Sequence, residues 1–269
     1  MSIWYPEEEP APVRIGPLGW VRAVIRCVLL FLVVFGGLAL KLLLRLIERP
    51  IWGLRRPITP FITQIVCKIS LFIIGLQIKV KGDCMTQNGA IVSNHSSWLD
   101  IFVLNSVMRM YFVAKSEVSG WPLVGWLARA TGTVFIARRA TDAKTHLQIF
   151  EKRLLAGHKL LFFPEGTSTD GLRVLAFKST LFQAYFQPDL RDQLYIQPVT
   201  VKYHAPEGQE PRFYGWWGDM QLAPHLIKVL AMRRQGAVQL SFHPPVAVAD
   251  FADRKALAQH CQQMVASAM

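Results

Sequence analysis

The chain has 269 residues, 52% of them hydrophobic, and its 30 Lys and Arg against 18 Asp and Glu give a formal charge of +12. This length accommodates a complete enzyme domain with a well-buried core. The charge suits nucleic acid or an anionic lipid surface, but a mean hydropathy of +0.26 without zinc-finger or aromatic RNA-binding signatures disfavours nucleic acid. The composition therefore predicts a membrane-associated protein that binds lipid and no nucleic acid.

The N-terminal quarter predicts a tail followed by a membrane anchor. Residues 1–19 hold three consecutive glutamates and four prolines, which predicts a polar surface tail. The run from Trp20 to Leu46 is mostly apolar, which predicts a helix that either spans the bilayer or rests in one leaflet. A second apolar helix is predicted over Ile58–Leu76, so residues 20–76 form the anchoring segment.

The charges around this segment predict its orientation. Arginine and lysine are more frequent after the first apolar run than before it, so the positive-inside rule predicts a cytoplasmic C-terminal side at a bacterial inner membrane. The four cysteines lie far apart and suggest neither a disulfide framework nor a metal site, which agrees with a reducing compartment.

Residues 77–269 alternate short β-rich runs with helical stretches, which predicts one α/β domain with a mixed central sheet flanked by helices. The predicted strands are Gln77–Lys81, Ala90–Ser93, Met110–Ala114, Thr133–Ile136, Lys159–Phe163, Tyr195–Val201 and Val238–Phe242. The predicted helices are Trp98–Met108, Thr141–Ala156, Lys178–Phe186, Leu222–Met232 and Phe251–Ala268.

The first motif with chemical content is the segment from Ala90 to Asp100, in which an apolar strand ends in Asn-His-Ser-Ser-Trp-Leu-Asp. Five residues on a regular helix would place His95 and Asp100 about 140° apart, so His95 must precede the helix, with Ser96 or Ser97 as its N-cap. From that loop Asp100 can fix the imidazole tautomer and make His95 a general base. The alternative is a capped helix with a solvent-facing histidine.

The second motif runs from Leu160 to Gly171, again an apolar strand that enters a polar loop containing glycine. Gly166 permits close backbone approach, and the hydroxyls and amides of the loop can hold an anion or a developing oxyanion. Glu165 follows four apolar residues and a proline. It either contacts a substrate or binds nearby amides or an arginine.

These two motifs, in this order, resemble the signatures of the lysophospholipid acyltransferase family, Asn-His-x4-Asp and Phe-Pro-Glu-Gly-Thr. Gly132–Arg138 and Ile196–Val199 are similar to the family's second and fourth blocks, so the resemblance covers residues 78–201. It implies that His95 is the base, Asp100 its partner, and Arg138 a cation that binds the acceptor. It also implies that the acceptor site includes Glu165, Gly166, Thr167 and Ser168, with no metal, cofactor or protein nucleophile.

The chemistry that the resemblance implies is acyl transfer from a thioester of acyl carrier protein or coenzyme A to a lysolipid hydroxyl. The thioester is already activated, so one base and one oxyanion site suffice. Both substrates would bind together, without a covalent acyl-enzyme.

The sequence departs from the commonest third block, Phe-Pro-Glu-Gly-Thr-Arg-Ser, because Ser168 occupies the arginine position and Asp170 follows nearby. Arg173 or Lys178 could replace that cation. The run from Thr167 to Arg173 and the segment from Tyr214 to His225 resemble the branch that acylates lyso-ornithine lipids. Its headgroup carries an amine and a carboxylate, which suits a site that mixes arginine with Asp170 or Asp219. Asp219 and His225 either contact the headgroup or simply belong to a surface turn and a helix cap.

Two other functions compete with this prediction. A 1-acylglycerol-3-phosphate acyltransferase would perform the same chemistry on a phosphate headgroup. A non-catalytic scaffold would bind anionic lipid through its positive charge alone.

Overall fold

The structure is a computed structural model that describes residues 4–6, 8, 10, 13–136 and 143–269 and, of residues 143–147, the backbone alone. Its centre is an eight-stranded mixed sheet in the order β1-β7-β6-β2-β5-β3-β4, with β8 against β6. The strands are β1 (Gln77–Lys81), β2 (Gly89–Ser93), β3 (Tyr111–Lys115), β4 (Val134–Ile136), β5 (Leu160–Phe162), β6 (Tyr195–His204), β7 (Ala237–Phe242) and β8 (Val246–Ala247). The mixed sheet flanked by helices confirms the predicted fold class, and all seven predicted strands are present.

The strands define two edges of the sheet. β2 runs parallel to β5 and β6, and β3 runs parallel to β4 and β5, so these five strands end on the same side. β7 is antiparallel to β6, and β1 pairs with β7 in parallel. We call the side where β2, β3, β5 and β6 end the carboxyl edge, and the side where they begin the amino edge. Ligands of α/β sheets bind at the carboxyl edge.

The helices are α1 (Pro17–Trp52), α2 (Thr59–Ile74), α3 (Leu99–Val107), α4 (Val124–Thr131), α5 (Ala143–Leu155), α6 (Pro188–Arg191), α7 (Leu222–Ala231) and α8 (Arg254–Ala266). Alternate side chains of β2 enter two cores, because successive residues of a strand point to opposite faces. Ile91 packs in the core that contains Leu71, Leu104 and Val229, from α2, α3 and α7. Ala90 and Val92 pack in the core that contains Leu154 and Leu257, from α5 and α8.

Two predictions about helices need correction. The first helix extends beyond Trp20–Leu46 to Pro17–Trp52, because Pro17 suits the first helical turn and Glu48 and Arg49 continue the helix past the apolar run. Arg26 of this helix donates to the carbonyls of Leu230 and Met232 and so docks the helix against α7. The second correction is the segment predicted as an α-helix over Lys178–Phe186, which is a 3₁₀ helix over Ser179–Phe186.

The helical period explains this last difference. A 3₁₀ helix has three residues per turn, so residues three apart share a face. Phe182 and Tyr185, three apart, are both fully buried and pack against Phe162 with ring centroids 5.2 and 5.8 Å away.

α1 is long and apolar enough to cross a membrane by length and composition, and only 6% of its most apolar 18-residue window is buried. The exposed apolar residues continue from α1 onto α2 and include Leu32, Leu43, Ile65 and Phe72. A contiguous apolar surface of this kind marks contact with lipid or with another protein.

Candidate active site

His95 and Asp100 meet at the carboxyl edge, as predicted from their spacing. His95 stands two residues after the end of β2, and Asp100 is the second residue of α3. His95 Nδ1 lies 2.7 Å from Asp100 Oδ2, with the histidine side chain 21% exposed and the aspartate fully buried. Because the carboxylate accepts the proton of Nδ1, the lone pair of Nε2 is available to a substrate hydroxyl.

The carboxylate of Asp100 is held by further donors. The N–H groups of Ser96 and Ser97 donate to Oδ2 at 2.8 and 3.0 Å, and the Tyr203 hydroxyl donates to Oδ1 at 2.7 Å. These bonds compensate for burial of the carboxylate and fix its orientation toward His95. Tyr203 lies on β6, and no local sequence pattern linked it to the motif 100 residues earlier.

The start of α3 differs from the predicted capping. The N-cap position belongs to Trp98 rather than to Ser96 or Ser97, and α3 begins at Leu99. Ser97 still contributes, because its hydroxyl accepts the Leu99 N–H at 3.3 Å. The short loop from β2 to α3 therefore curls around the Asp100 carboxylate.

Two neighbours restrain the histidine loop. Phe163 stacks on the imidazole of His95 with ring centroids 4.0 Å apart and planes inclined by 12°. Asn94 exchanges two hydrogen bonds with the backbone of Val201, at 2.8 and 2.9 Å, and so extends the pairing of β2 with β6 through its side chain. The position of His95 is thus determined by packing and by the sheet.

Glu165 is buried behind this loop, with 1% of its surface exposed. Its two carboxylate oxygens accept the N–H groups of His95 and Leu175, each at 2.7 Å. Burial raises the pKa of Glu165 to about 8, while these two N–H groups act in the opposite direction. The Glu165 carboxyl group, which is protonated below this pKa, therefore ties the histidine loop to the loop that follows β5. Its predicted contact with the acceptor stays a prediction.

The loop after β5 lies against the histidine. Gly166 adopts φ +71°, a conformation that favours glycine, and its N–H donates to the Phe163 carbonyl at 3.0 Å. The Thr169 N–H donates to the His95 carbonyl at 2.9 Å. Thr167 and Ser168, between these anchors, are partly exposed, and their backbone N–H groups have no acceptor within the described part of the chain.

The charged residues of this loop neutralise each other. Arg173 donates to both oxygens of Asp170, at 3.2 and 3.0 Å, and Asp170 is 2% exposed. The Lys178 N–H donates to the Pro164 carbonyl, and its ammonium group lies near Glu165. Arg138, predicted as the acceptor-binding cation, lies outside the described residues.

A third loop, residues 213–220, completes the surroundings of His95. The Trp216 N–H donates to the Ser96 carbonyl at 2.8 Å. His225, at the start of α7, is buried and its Nδ1 accepts the Trp98 indole N–H at 3.0 Å. Burial lowers the pKa of His225 to about 3, so the ring is neutral and is no cation for a headgroup.

The N-terminal tail contacts the same region, which its composition did not predict. The Tyr5 hydroxyl donates to Asp219 at 2.6 Å. Trp4 lies 5.1 Å from the guanidinium of Arg173 and meets Trp217 edge to face at 5.9 Å. Asp219 is an exposed residue, and its carboxylate accepts a hydrogen bond from the N-terminal tail.

The His95–Asp100 pair thus lies at the carboxyl edge beside a loop whose Thr167 and Ser168 N–H groups have no acceptor in the described part of the chain. A family model described as acyltransferase matches residues 77–202, and together with the relatives below it shows that the chain belongs to this family of enzymes. The chain is 54% identical to the lyso-ornithine lipid O-acyltransferase of Rhodobacter capsulatus, over 97% of this chain and 95% of that protein. It is 38% identical to the Brucella abortus enzyme of the same name, over 79% and 82% of the two chains.

A solved structure shares the fold. The 1-acyl-sn-glycerophosphate acyltransferase of Thermotoga maritima superposes with a TM-score of 0.65 at 20% identity, over 93% of each chain. Because the match covers 93% of this chain, it includes most of α1 and α2 as well as the sheet.

Proposed function

We propose that the protein transfers a fatty acyl group from a thioester of acyl carrier protein or coenzyme A to the hydroxyl of lyso-ornithine lipid. The observation that carries this proposal is the 54% identity to a lyso-ornithine lipid O-acyltransferase along almost the whole length of both chains. The pairing of Asp170 with Arg173 supports it, since this loop then offers a phosphate no unpaired arginine.

His95 begins the reaction. Its Nε2 removes the proton from the acceptor hydroxyl while Asp100 stabilises the resulting imidazolium. The alkoxide oxygen attacks the thioester carbonyl carbon and forms a tetrahedral intermediate. The N–H groups of Thr167 and Ser168 are the donors we assign to its oxyanion. Collapse of the intermediate breaks the C–S bond, and the thiolate takes the proton back from His95, which leaves an ester and a free thiol.

The test compares His95→Ala with wild type in detergent-solubilised protein supplied with an acyl carrier protein thioester and either lyso-ornithine lipid or lysophosphatidic acid. His204→Ala is the matched control, because His204 is an exposed histidine beyond the site. We expect His95→Ala to lose at least about a thousandfold in kcat and the control to lose nothing. Turnover that survives in His95→Ala would refute the mechanism.

The same assay separates the competing functions. Turnover with lysophosphatidic acid alone would identify a 1-acylglycerol-3-phosphate acyltransferase instead. Product with neither lysolipid, from protein that still binds vesicles, would favour the scaffold.

We further propose that residues 20–76 anchor the enzyme in a bacterial inner membrane, with the catalytic domain, residues 77–269, facing the cytoplasm. Arg45, Arg49 and Arg55 near the C-terminal end of α1 support a cytoplasmic position of that end. Because Trp4, Tyr5 and Arg26 also contact the catalytic domain, we propose that both ends of α1 face the cytoplasm and that the helix rests in one leaflet instead of spanning the bilayer. Protease digestion of inverted membrane vesicles tests it: the catalytic domain should be cleaved in inverted vesicles and protected in right-side-out spheroplasts.

A further inference from the structure

A second group of polar side chains lies at the amino edge of the sheet, away from His95. We call Arg56, Tyr111, Arg153 and His158 the basic cluster. Tyr111 begins β3, His158 precedes β5 by two residues, and Arg153 is in the last turn of α5. Arg56 belongs to the connection between α1 and α2. Because β2, β3 and β5 are parallel, this cluster and the active site lie at opposite edges.

The cluster is packed around the ring of Tyr111. The guanidinium carbon of Arg153 lies 4.4 Å from the ring centroid and that of Arg56 lies 5.5 Å away. The imidazole of His158 is 4.4 Å from the same ring. Gly132 completes the contact, because its carbonyl accepts Arg153 Nη2 at 2.9 Å and a side chain at this position would overlap the guanidinium of Arg56.

Two donors of the basic cluster are buried without an acceptor in the described part of the chain. They are Nε of Arg56 and Nε of Arg153. Arg153 is 9% exposed and His158 is 6% exposed. Buried polar groups of folded proteins are hydrogen-bonded with few exceptions, so a group of them in one place points to a ligand.

The charges of the cluster are also unbalanced. Glu48 is the carboxylate that interacts electrostatically with Arg56. It already accepts hydrogen bonds from the N–H groups of Ile58 and Thr59, from the Thr59 hydroxyl and from Arg45. Burial and the charge of Arg56 lower the pKa of Arg153 to about 10. Two guanidinium groups therefore share a buried site with no carboxylate of their own among the described residues.

We propose that the basic cluster binds one phosphate group, held by the guanidinium groups of Arg56 and Arg153. Planar guanidinium groups match the oxygens of a phosphate in paired hydrogen bonds. Arg56 is the partly exposed member and provides the approach. Arg56 follows the proposed membrane anchor α1 by four residues, so the phosphate can belong to a phospholipid headgroup or be free.

Binding there would connect two separate elements. Arg56 comes from the connection between α1 and α2, whereas Arg153 lies in the last turn of α5. A bound phosphate would clamp the end of the anchor to the catalytic domain, independently of the acyl-transfer site and of the acceptor it uses.

The test is the thermal unfolding of the purified full chain in detergent. One arm compares inorganic phosphate with chloride at equal ionic strength. The other compares dihexanoyl phosphatidylglycerol with dihexanoylglycerol, which lacks the phosphate. For a Kd of about 1 mM and roughly 50 mM ligand, we expect Tm to rise by about 5 °C. Arg56→Gln should lose the shift, and Arg55→Gln, its exposed neighbour, should keep it.

Each outcome decides the proposal. A shift in both arms that Arg56→Gln abolishes supports a general phosphate site, and a shift with the lipid alone supports a phospholipid headgroup. No shift in either arm, or equal shifts in Arg56→Gln and Arg55→Gln, overturns the proposal. If Arg56→Gln does not fold, Arg153→Lys serves instead, because it keeps the charge, removes Nε and should reduce the shift at least twofold.

Discussion

The buried Glu165 predicts a specific dependence of stability on pH. Its pKa of about 8 in the folded protein exceeds the ordinary value of 4.5. A group whose pKa is raised by folding contributes full stability below its unfolded pKa, and this contribution is lost as the pH rises through the folded pKa. Glu165 should therefore reduce the free energy of unfolding by about 1.4 kcal/mol per pH unit between about pH 5 and pH 8.

Replacing Glu165 with glutamine should remove this slope. Gln accepts a hydrogen bond through Oε1 only, so either the His95 or the Leu175 N–H loses its acceptor, at a pH-independent cost of about 1–3 kcal/mol. The variant should be less stable than wild type near pH 5.5, and the difference should shrink or reverse by pH 8.

Thermal unfolding followed by tryptophan fluorescence measures the effect. For a protein of this size the Tm difference between wild type and Glu165→Gln should change by about 3–5 °C per pH unit. Glu207→Gln is the control, because Glu207 is exposed. Parallel pH profiles of wild type and Glu165→Gln, separated by a constant offset, would refute the reasoning.

Three further changes test the active-site loops. Tyr203→Phe removes a donor to Asp100, so we expect about 1–2 kcal/mol less stability and roughly tenfold lower kcat; an unchanged kcat would separate Tyr203 from the catalytic pair. Trp4→Ala should raise the KM for the lysolipid and leave the KM for the thioester unchanged, as measured by steady-state kinetics with each substrate varied in turn. If neither KM changed, Trp4 would have no role in acceptor binding. Ser168→Arg restores a cation and should shift the ratio of kcat/KM at least about tenfold toward lysophosphatidic acid; an unchanged ratio would locate headgroup selection elsewhere.

Much of the fold was predictable because it follows from local hydrophobic patterns. Most strands of the sheet are short apolar runs, and β1, in which polar and β-branched residues alternate, has the predicted bounds Gln77–Lys81. The segment Ser179–Phe186 was assigned to the wrong helix type, because its buried aromatic residues fit a period of three as well as one of 3.6. The ends of α1 differ from the apolar run because a helix does not require apolar residues: Pro17 occupies its first turn, and Glu48 and Arg49 continue it past Leu46.

The core of the site was predictable because His95 and Asp100 are close in sequence. Their five-residue spacing required the histidine to precede the helix, and the structure joins them at 2.7 Å. The contribution of Tyr203 depends on how β6 lies beside β2, which is a property of the sheet. For the same reason the packing of Trp4 on the loop near Arg173 required the tertiary structure.

The acceptor question depends on the balance of charge around Thr167 and Ser168. Asp170 is buried and therefore requires a partner, and Arg173 supplies it with two hydrogen bonds. Arg173, the candidate to replace the missing cation at Ser168, is thus committed to this carboxylate. A phosphate headgroup would compete with Asp170 for Arg173, whereas a headgroup that carries both an amine and a carboxylate can approach an ion pair without separating it. The substitution at Ser168 and the aspartate two residues later are therefore best understood as one feature, which disfavours a phosphate beside His95.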